Sequence, residues 1–342
     1  MSAAPFSGNR HFTWFTPAGR RPTQYESYTV GQQSTPAQWL HVDWPVRFDD
    51  GRPPWIAEST ALRTTRWSEF RDPSQTWQRP YVAQRNIQEQ ALATLVPEAL
   101  RGGLADALEP AWRDRVLATY YAAWPFVEYG EFLSLCYAVR EALSDTITMA
   151  LAFEVSDKLR HGQDIVHYLL ALEEAVPGFS DAGARAAWMT DPALVPLRET
   201  IERINASNDW AEIAVALNLV LEPLAGELFK TELLSRLAPL NGDAVTPMIL
   251  GSVRQDARRH VATTQALVRI ATDDPDTGAA NREVVRGWLA RWTPEATAVA
   301  RALAALFELP GVRTVPFAPA FERVRARHGE IVAALGLDGG RP

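Results

Sequence analysis

A repeated Asp-x-x-Arg-His element is the feature that most constrains how this chain can fold. One copy occupies residues 157–161 and the other 256–260, so the aspartates lie 99 positions apart, at 157 and 256. Each copy lies inside a long segment whose apolar residues recur every three or four positions, which predicts a helix. The duplication therefore predicts two equivalent helices in one all-α bundle.

The residues just before the two histidines limit the chemistry of such a bundle. In carboxylate-bridged di-iron four-helix bundles, two helices each supply Glu-x-x-His, and two others each supply a Glu. Here His161 and His260 stand at the histidine positions, but Lys158 and Ala257 stand at the Glu positions. An ammonium group at the centre opposes cation binding. The sequence thus predicts the arrangement of a di-iron bundle with no metal ligands, cofactor-binding residues or catalytic residues on this chain.

Lys158 lies on a helix face that is otherwise aliphatic. Positions three or four residues apart share that face. They are Ile147, Leu151, Glu154, Lys158, His161, Ile165 and Leu169. The equivalent positions on the second helix, 99 residues later, are Thr246, Leu250, Val253, Ala257, His260, Thr264 and Val268, of which His260 alone can ionise.

Two further glutamates stand where such a bundle would place its remaining ligands. They also bear on Lys158, whose charge needs a partner. Glu128 lies one predicted helix before Lys158, and Glu222 lies in the other half of the chain. We predict that Lys158 replaces the charge of a metal and pairs with Glu154, one turn earlier, or with Glu128. The alternative is that Lys158 extends to solvent from a surface helix.

Composition excludes several other classes of protein. An apolar content of 47% and a charged content of 22% in 342 residues are typical of a globular protein. A formal net charge of −7 argues against nucleic acids and anionic membranes as partners. No apolar run is long enough to span a bilayer and no signal pattern opens the chain, so we expect a cytoplasmic protein. The single cysteine, Cys136, excludes an internal disulfide.

The chain divides by composition into an arm, residues 1–88, and a helical domain, residues 89–342. The arm contains nine of the 24 prolines and six of the 12 tryptophans, which are Trp14, Trp39, Trp44, Trp55, Trp67 and Trp77. Exposed aromatic side chains are costly in water, so we expect an extended arm that lies on another surface and in part covers a different subunit. The alternative is that it packs only on its own helical body.

Helical periodicity, capping residues and Pro or Gly stops predict the helices of the second region. The predicted helical stretches are 86–107, 110–143 with a kink at Pro125, 145–175, 181–206, 209–237, a helix after Asp243 that ends at 272, 279–309 and 318–335.

Several short motifs together resemble one family. They include the runs 70–73, 126–132, 140–145, 176–179 and 236–239, which read FRDP, FVEYGEF, REALSD, VPGF and RLAP. In combination they resemble the hydroxylase β subunit of soluble methane monooxygenase and its alkene and alkane monooxygenase relatives, roughly over residues 12–310.

The resemblance implies a ferritin-like helical bundle, like the ribonucleotide reductase small subunit, in a β subunit that pairs with an α subunit bearing the di-iron centre. It also implies a coupling protein and a separate NADH-dependent reductase that carries FAD and a 2Fe-2S cluster. We expect alkene epoxidation by an alkene monooxygenase, while the hydrocarbon itself and the choice between αβ and larger assemblies stay open. The alternatives are a self-sufficient di-iron oxidase and a free-standing helical interaction protein.

Overall fold

The computed structural model describes residues 12–17, 19–34, 51, 53 and 55–337, and within these ranges it contains helices and no β-strand. The α-helices are α1 (Gln24–Tyr28), α2 (Gln78–Arg101), α3 (Leu104–Ala107), α4 (Ala122–Glu141), α5 (Asp145–Ala175), α6 (Ala184–Thr190), α7 (Val195–Asn205), α8 (Trp210–Val215), α9 (Thr246–Thr272), α10 (Gly278–Ala302) and α11 (Phe317–Ala333). Short 3₁₀ turns occupy Val30–Gln32, Ala57–Ser59, Trp67–Glu69, Ala238–Asn241 and Leu303–Glu308. The predicted all-α bundle is confirmed.

Three π-helical segments extend the core helices. Trp112–Tyr121 leads into α4, and Ala216–Gly226 and Leu228–Ser235 continue α8. The centre of the bundle is formed by α4, α5, α9 and the long helix made of α8 and its two π-helical segments. On the outside, α2 packs on α5, and both α10 and α11 pack on the Ala216–Gly226 segment.

The local signals in the sequence place the ends of the core helices. The Ser144 hydroxyl accepts a hydrogen bond from the Ile147 N–H and begins α5, which ends at Ala175, just before Pro177. Asp209 begins α8 by accepting hydrogen bonds from two N–H groups of its first turn. Because each signal is local, the predicted bounds of these helices are confirmed to within a residue or two.

Proline explains two of the π-helical segments. Proline has no N–H, so the carbonyl four residues before it loses its usual α-helical partner. Pro125 follows the Trp112–Tyr121 segment, and Pro223 lies inside Ala216–Gly226. At the end of the first segment, the Ala122 N–H donates to the Leu117 carbonyl, five residues back. The unusual backbone lies in the two helices that carry Glu128 and Glu222, so it sets where those side chains point.

The described part of the arm packs on the helical body of its own chain. Trp67 meets Trp210 edge-on, with ring centroids 5.3 Å apart, and Phe70 is fully buried in the same core. Asp72 accepts a hydrogen bond from the Thr263 hydroxyl of α9 at 3.3 Å. Trp39 and Trp44 lie outside the described residues. Coverage of another subunit by the arm stays a prediction.

The predicted start of the helical region at residue 89 is wrong, because α2 begins at Gln78. The sequence interpretation included Pro80 in the proline-rich arm. Pro80 lies in the first turn of α2, where a backbone N–H has no partner inside the helix, so proline is tolerated there. No helix in the described ranges is both long and apolar enough to cross a membrane.

Candidate functional site

Five buried ionisable side chains meet at the centre of the bundle, and we call them the ion cluster. They are Glu128 and Glu131 of α4, Lys158 of α5, and Glu222 and Lys230 of the two π-helical segments after α8. The two lysines are the only lysines of the chain. A buried ammonium is tolerated when carboxylates surround it, and this cluster brings three carboxylates to two ammonium groups.

Lys158 lies among all three carboxylates. Its Nζ is 2.5 Å from Glu131 Oε2 and 3.6 Å from both Glu128 Oε2 and Glu222 Oε1. Lys230 Nζ lies 2.6 Å from Glu222 Oε2 and 3.4 Å from Glu128 Oε1. Each ammonium therefore shares two of its carboxylates with the other, and the five groups form one electrostatic unit.

The three carboxyl groups differ in how readily they ionise. Burial, then the Glu222 and Glu128 carboxylates, raise the pKa of Glu131 well above its usual value. Burial opposes ionisation of Glu222 as well, but Lys158 and Lys230 outweigh it and lower its pKa to about 2. The same two ammonium groups, with Lys230 first, hold the pKa of Glu128 well below its usual value. The two ammonium groups thus favour the charged forms of Glu128 and Glu222, whereas Glu131 is the carboxyl of the cluster that holds a proton most readily.

The predicted contact between Lys158 and Glu128 is confirmed, while the predicted pairing with Glu154 is wrong. Both oxygens of Glu154 are buried and lack a hydrogen-bond partner within the described chain. Lys158 instead lies closest to Glu131, which the sequence interpretation missed. The alternative in which Lys158 extends to solvent is also wrong, because the residue is 1% exposed.

Each aspartate of the repeated element contacts the other copy of that element. Asp157 Oδ2 of α5 lies 3.0 Å from His260 Nε2 of α9 and forms an ion pair with Arg259. The Tyr81 hydroxyl of α2 donates to Asp157 Oδ1 at 2.9 Å. Although burial opposes ionisation, His260 and Arg259 hold the pKa of Asp157 well below its usual value.

Asp256 of α9 repeats this arrangement in the opposite direction. It accepts a hydrogen bond from Arg160 at 2.5 Å and lies 3.2 Å from His161 Nε2. Arg85 of α2 adds a bidentate contact, with 2.7 Å to each carboxylate oxygen of Asp256. The two copies of the element thus cross-link α5 and α9 twice. We call the six residues of the two copies the paired frame: Asp157, Arg160, His161, Asp256, Arg259 and His260.

Ala257 lies beside open space. Its methyl group lines a cavity of about 380 Å³, and Glu222, Lys230 and His260 line the same cavity. In the other half of the bundle the equivalent position holds Lys158, which is 1% exposed. The pseudo-equivalent helices therefore differ at the one position where a di-iron bundle would place its second pair of carboxylates.

The donor set does not fit a carboxylate-bridged di-iron centre. Oxygens of Glu128, Glu131 and Glu222 lie within 4.8 Å of one another, which by ligand type and spacing could hold a cation. The Lys158 ammonium, however, lies within 3.6 Å of all three and repels a divalent ion. A metal pair also needs a carboxylate at Ala257, where there is a methyl group.

Two members of the ion cluster were missed from the sequence, although each left a signal. Glu131 follows Glu128 by three residues, so a helix places both on one face. Lys230 is the only other lysine in a chain whose remaining basic side chains, apart from histidines, are arginines. A compact ammonium suits a small buried space better than a guanidinium does, so the two lysines could have been paired on that ground.

Comparison with known proteins agrees with the motif resemblance. Residues 44–275 match the Methane/Phenol/Alkene Hydroxylase family. The chain is 32% identical over 335 residues to the hydroxylase component small subunit of propane 2-monooxygenase from Rhodococcus jostii (strain RHA1), covering 98% of this chain and 91% of that protein. It is 33% identical over 327 residues to the methane monooxygenase component A beta chain of Methylococcus capsulatus, covering 92% of this chain and 83% of that protein.

Solved structures share the fold. A structure of toluene 4-monooxygenase with toluene in its resting active site aligns with a TM-score of 0.73 and 24% identity, over 88% of this chain and 99% of that one. A xenon-pressurised phenol hydroxylase from Pseudomonas sp. OX1 aligns with a TM-score of 0.76 and 17% identity, over 93% of this chain and 92% of that one. The bundle is ferritin-like. The chain belongs to the methane/phenol/alkene hydroxylase family, as a β, or small, subunit of the hydroxylase component of a di-iron monooxygenase.

Proposed function

We propose that this chain is the non-catalytic β subunit of the oxygenase component of an NADH-dependent multicomponent monooxygenase. The observation that supports this role is the ion cluster, in which Lys158 and Lys230 bring positive charge to the place where a di-iron bundle holds metal. On α9, Ala257 stands where such a bundle would have a further carboxylate ligand. In this proposal the chain carries no cofactor, and a paralogous α subunit carries the di-iron centre.

The reaction then belongs to the whole complex. A reductase with FAD and a 2Fe-2S cluster passes electrons from NADH, and a coupling protein regulates the hydroxylase. The complex inserts one oxygen atom of O₂ into a small hydrocarbon. The relatives described above are named for propane and methane, which supports a short-chain hydrocarbon as substrate. Alkene epoxidation stays our sequence-based prediction.

An apolar surface on two core helices supports binding to another helical subunit. The outer faces of α4 and α5, which pack on each other, carry large apolar side chains that are at least a third exposed. These residues, which we call the α4–α5 face, are Phe126, Tyr129, Leu133, Leu159, Val166 and Leu170. Their spacing on α4 forms a helical stripe, and contiguous apolar stripes on neighbouring helices are typical of protein interfaces. We assign this face to the α subunit.

Metal analysis tests the main proposal. The full-length chain, expressed alone and together with its α subunit in iron-rich medium, is measured by plasma mass spectrometry. We expect no stoichiometric iron on the isolated chain and all hydroxylase iron to follow α. About two irons per isolated chain, the content of a complete di-iron bundle, would overturn the proposal in favour of a self-sufficient oxidase.

A matched pair of substitutions tests the α4–α5 face. Leu133 is 45% exposed within the face, and Leu240 is 47% exposed outside it. We expect Leu133→Glu to prevent co-purification with the α subunit, because an interface core excludes charge, while Leu240→Glu leaves it intact. Neither substitution should change the melting temperature of the isolated chain by more than about 2 °C, since surface changes are usually small. Normal co-purification of the Leu133 variant contradicts the assigned face.

A further inference from the structure

The cavity beside Ala257 has the size of a small-molecule site. It lies between the π-helical segment Ala216–Gly226, α9 and α11, and its volume is about 380 Å³. That volume falls in the usual range of ligand pockets. At roughly 30 Å³ for each non-hydrogen atom, the share of one water in the liquid, it has room for about a dozen such atoms.

The rim of the cavity carries positive charge that the protein does not neutralise. Arg254 is half-buried and Arg258 is exposed, and the two lie one turn apart on α9. Neither makes an ion pair or a side-chain hydrogen bond with any part of the chain that the structure describes. Arg327, on the opposite side of the rim, differs because it pairs with Glu227. Two unpaired guanidinium groups at one opening favour a carboxylate, which each can bind through a fork of N–H groups.

Apolar residues form much of the cavity wall, and Glu222, Lys230 and His260 line its inner part. Val253, Ala257 and Val261 of α9 line one side and Ile331 of α11 the other. Each methylene that leaves water for aliphatic walls of this kind strengthens binding about fourfold. Because residue 257 is an alanine, the cavity continues inward to the level of the ion cluster.

We propose that this cavity binds a short-chain aliphatic carboxylate of about six to eight carbons, the length that about a dozen non-hydrogen atoms allow. The carboxylate lies at Arg254 and Arg258, and the hydrocarbon chain follows the wall past Ala257. The inference rests on this chain's own cavity and does not depend on the proposed role in oxygenation.

Ligand titration by calorimetry tests the site with two probes, octanoate and octan-1-ol. The full-length chain is used alone and in complex with its partner subunit. We expect saturable binding of octanoate and no saturable binding of the alcohol, which has no carboxylate for the arginines. Absence of octanoate binding in both preparations overturns the proposal. Equal binding of octanol and octanoate overturns it too, because the arginines then do not select the ligand.

Substitutions assign the binding to this cavity. The double variant Arg254→Ala/Arg258→Ala removes the charge at the rim, and we expect octanoate affinity to fall at least about tenfold. Ala257→Leu fills the passage and should abolish binding. Arg185→Ala, an exposed arginine of α6 outside the cavity, is the control and should bind as the unmodified chain does. Unchanged affinity in both cavity variants overturns the assignment.

Discussion

The two halves of the bundle are alike in their outer polar contacts and unlike at their centre. In the paired frame, Asp157 of α5 contacts Arg259 and His260 of α9, and Asp256 of α9 contacts the corresponding arginine and histidine of α5. At the inner positions the halves diverge. On α5 the residue three before the histidine is Lys158, enclosed by carboxylates, whereas on α9 it is Ala257, beside a cavity.

In a di-iron bundle the same helices both hold each other in position and bind metal at the centre. Here different residues serve these two roles. The paired frame fixes two antiparallel helices relative to each other, because each aspartate binds side chains of the opposite helix and of α2. The inner positions determine what the centre can bind. The frame consists of protein side chains alone and does not include the second pair of carboxylates. One inner position, Lys158, forms internal ion pairs, and the other, Ala257, borders a cavity.

The largest expected effect comes from breaking the frame at Asp256. Asp256→Ala leaves Arg85 and Arg160 buried without their main carboxylate, and guanidinium groups cannot lose their charge. We expect a loss of about 5 kcal/mol in the free energy of unfolding, measured by urea denaturation. Asp157→Ala should cost less, since its partner Arg259 is 13% exposed and can turn to solvent.

Asp276→Ala, in the exposed loop after α9, is the control and should change stability by less than about 0.5 kcal/mol. Equal effects of Asp256→Ala and the control would show that the frame contributes nothing to registration of the helices. A larger effect of Asp157→Ala than of Asp256→Ala would reverse our ranking of the two cross-links.

Removal of the central ammonium should have the next largest effect. Lys158→Ala leaves Glu128, Glu131 and Glu222 with Lys230 as their one ammonium. We expect a loss of about 3 kcal/mol, the lower end of the range for a broken buried ion pair, because carboxylates can take up protons. At lower pH, where more of these carboxylates are protonated, the same urea measurement should show a smaller loss. A loss below about 1 kcal/mol at neutral pH would contradict a structural role for the ammonium.

The sequence predicts the two equivalent helices and the fold because both depend on local signals. Ser144 and Asp209 act as helix caps through hydrogen bonds to their own first turns. The repeated element places its aspartates and histidines on corresponding turns of two helices, so their proximity follows once the helices pack. Neither the helix ends nor the pairing of the two helices depends on knowing how the rest of the chain packs.

The partners of Lys158 could not be read in the same way. Glu154 is one turn from Lys158 on the same helix, but both of its oxygens lack a partner within the described chain, and the nearest carboxylate is Glu131 of α4. Which side chains of different helices meet depends on how each helix is rotated. The π-helical segment that contains Pro223 changes the rotation per residue, so a 3.6-residue period misplaces Lys230 relative to Glu222.

The smallest effect should come from Glu131, the carboxyl of the ion cluster that holds a proton most readily. Burial and two neighbouring carboxylates raise its pKa well above the usual value. A glutamine resembles a protonated glutamate in shape and charge, so we expect Glu131→Gln to change the free energy of unfolding by less than about 1 kcal/mol at pH 7. Glu222→Gln, the matched variant, removes a carboxylate that bonds Lys230, and should cost about 2 kcal/mol.

Glu222 and Glu131 should change the pH dependence of stability in opposite directions. The pKa of Glu222 is lowered to about 2 in the folded chain, so its stabilisation is complete above its ordinary pKa and is lost as pH falls from about 4.5 towards 2. The raised pKa of Glu131 acts oppositely, because the unfolded chain releases this proton first, and stability falls as pH rises above the ordinary value. Urea titrations of the unmodified chain and both variants from pH 4 to pH 8 should therefore show a flatter upper range for Glu131→Gln alone. A large loss for Glu131→Gln at pH 7, equal to that of Glu222→Gln, would mean that all three carboxyl groups are ionised, and that the centre of the bundle holds a net negative charge.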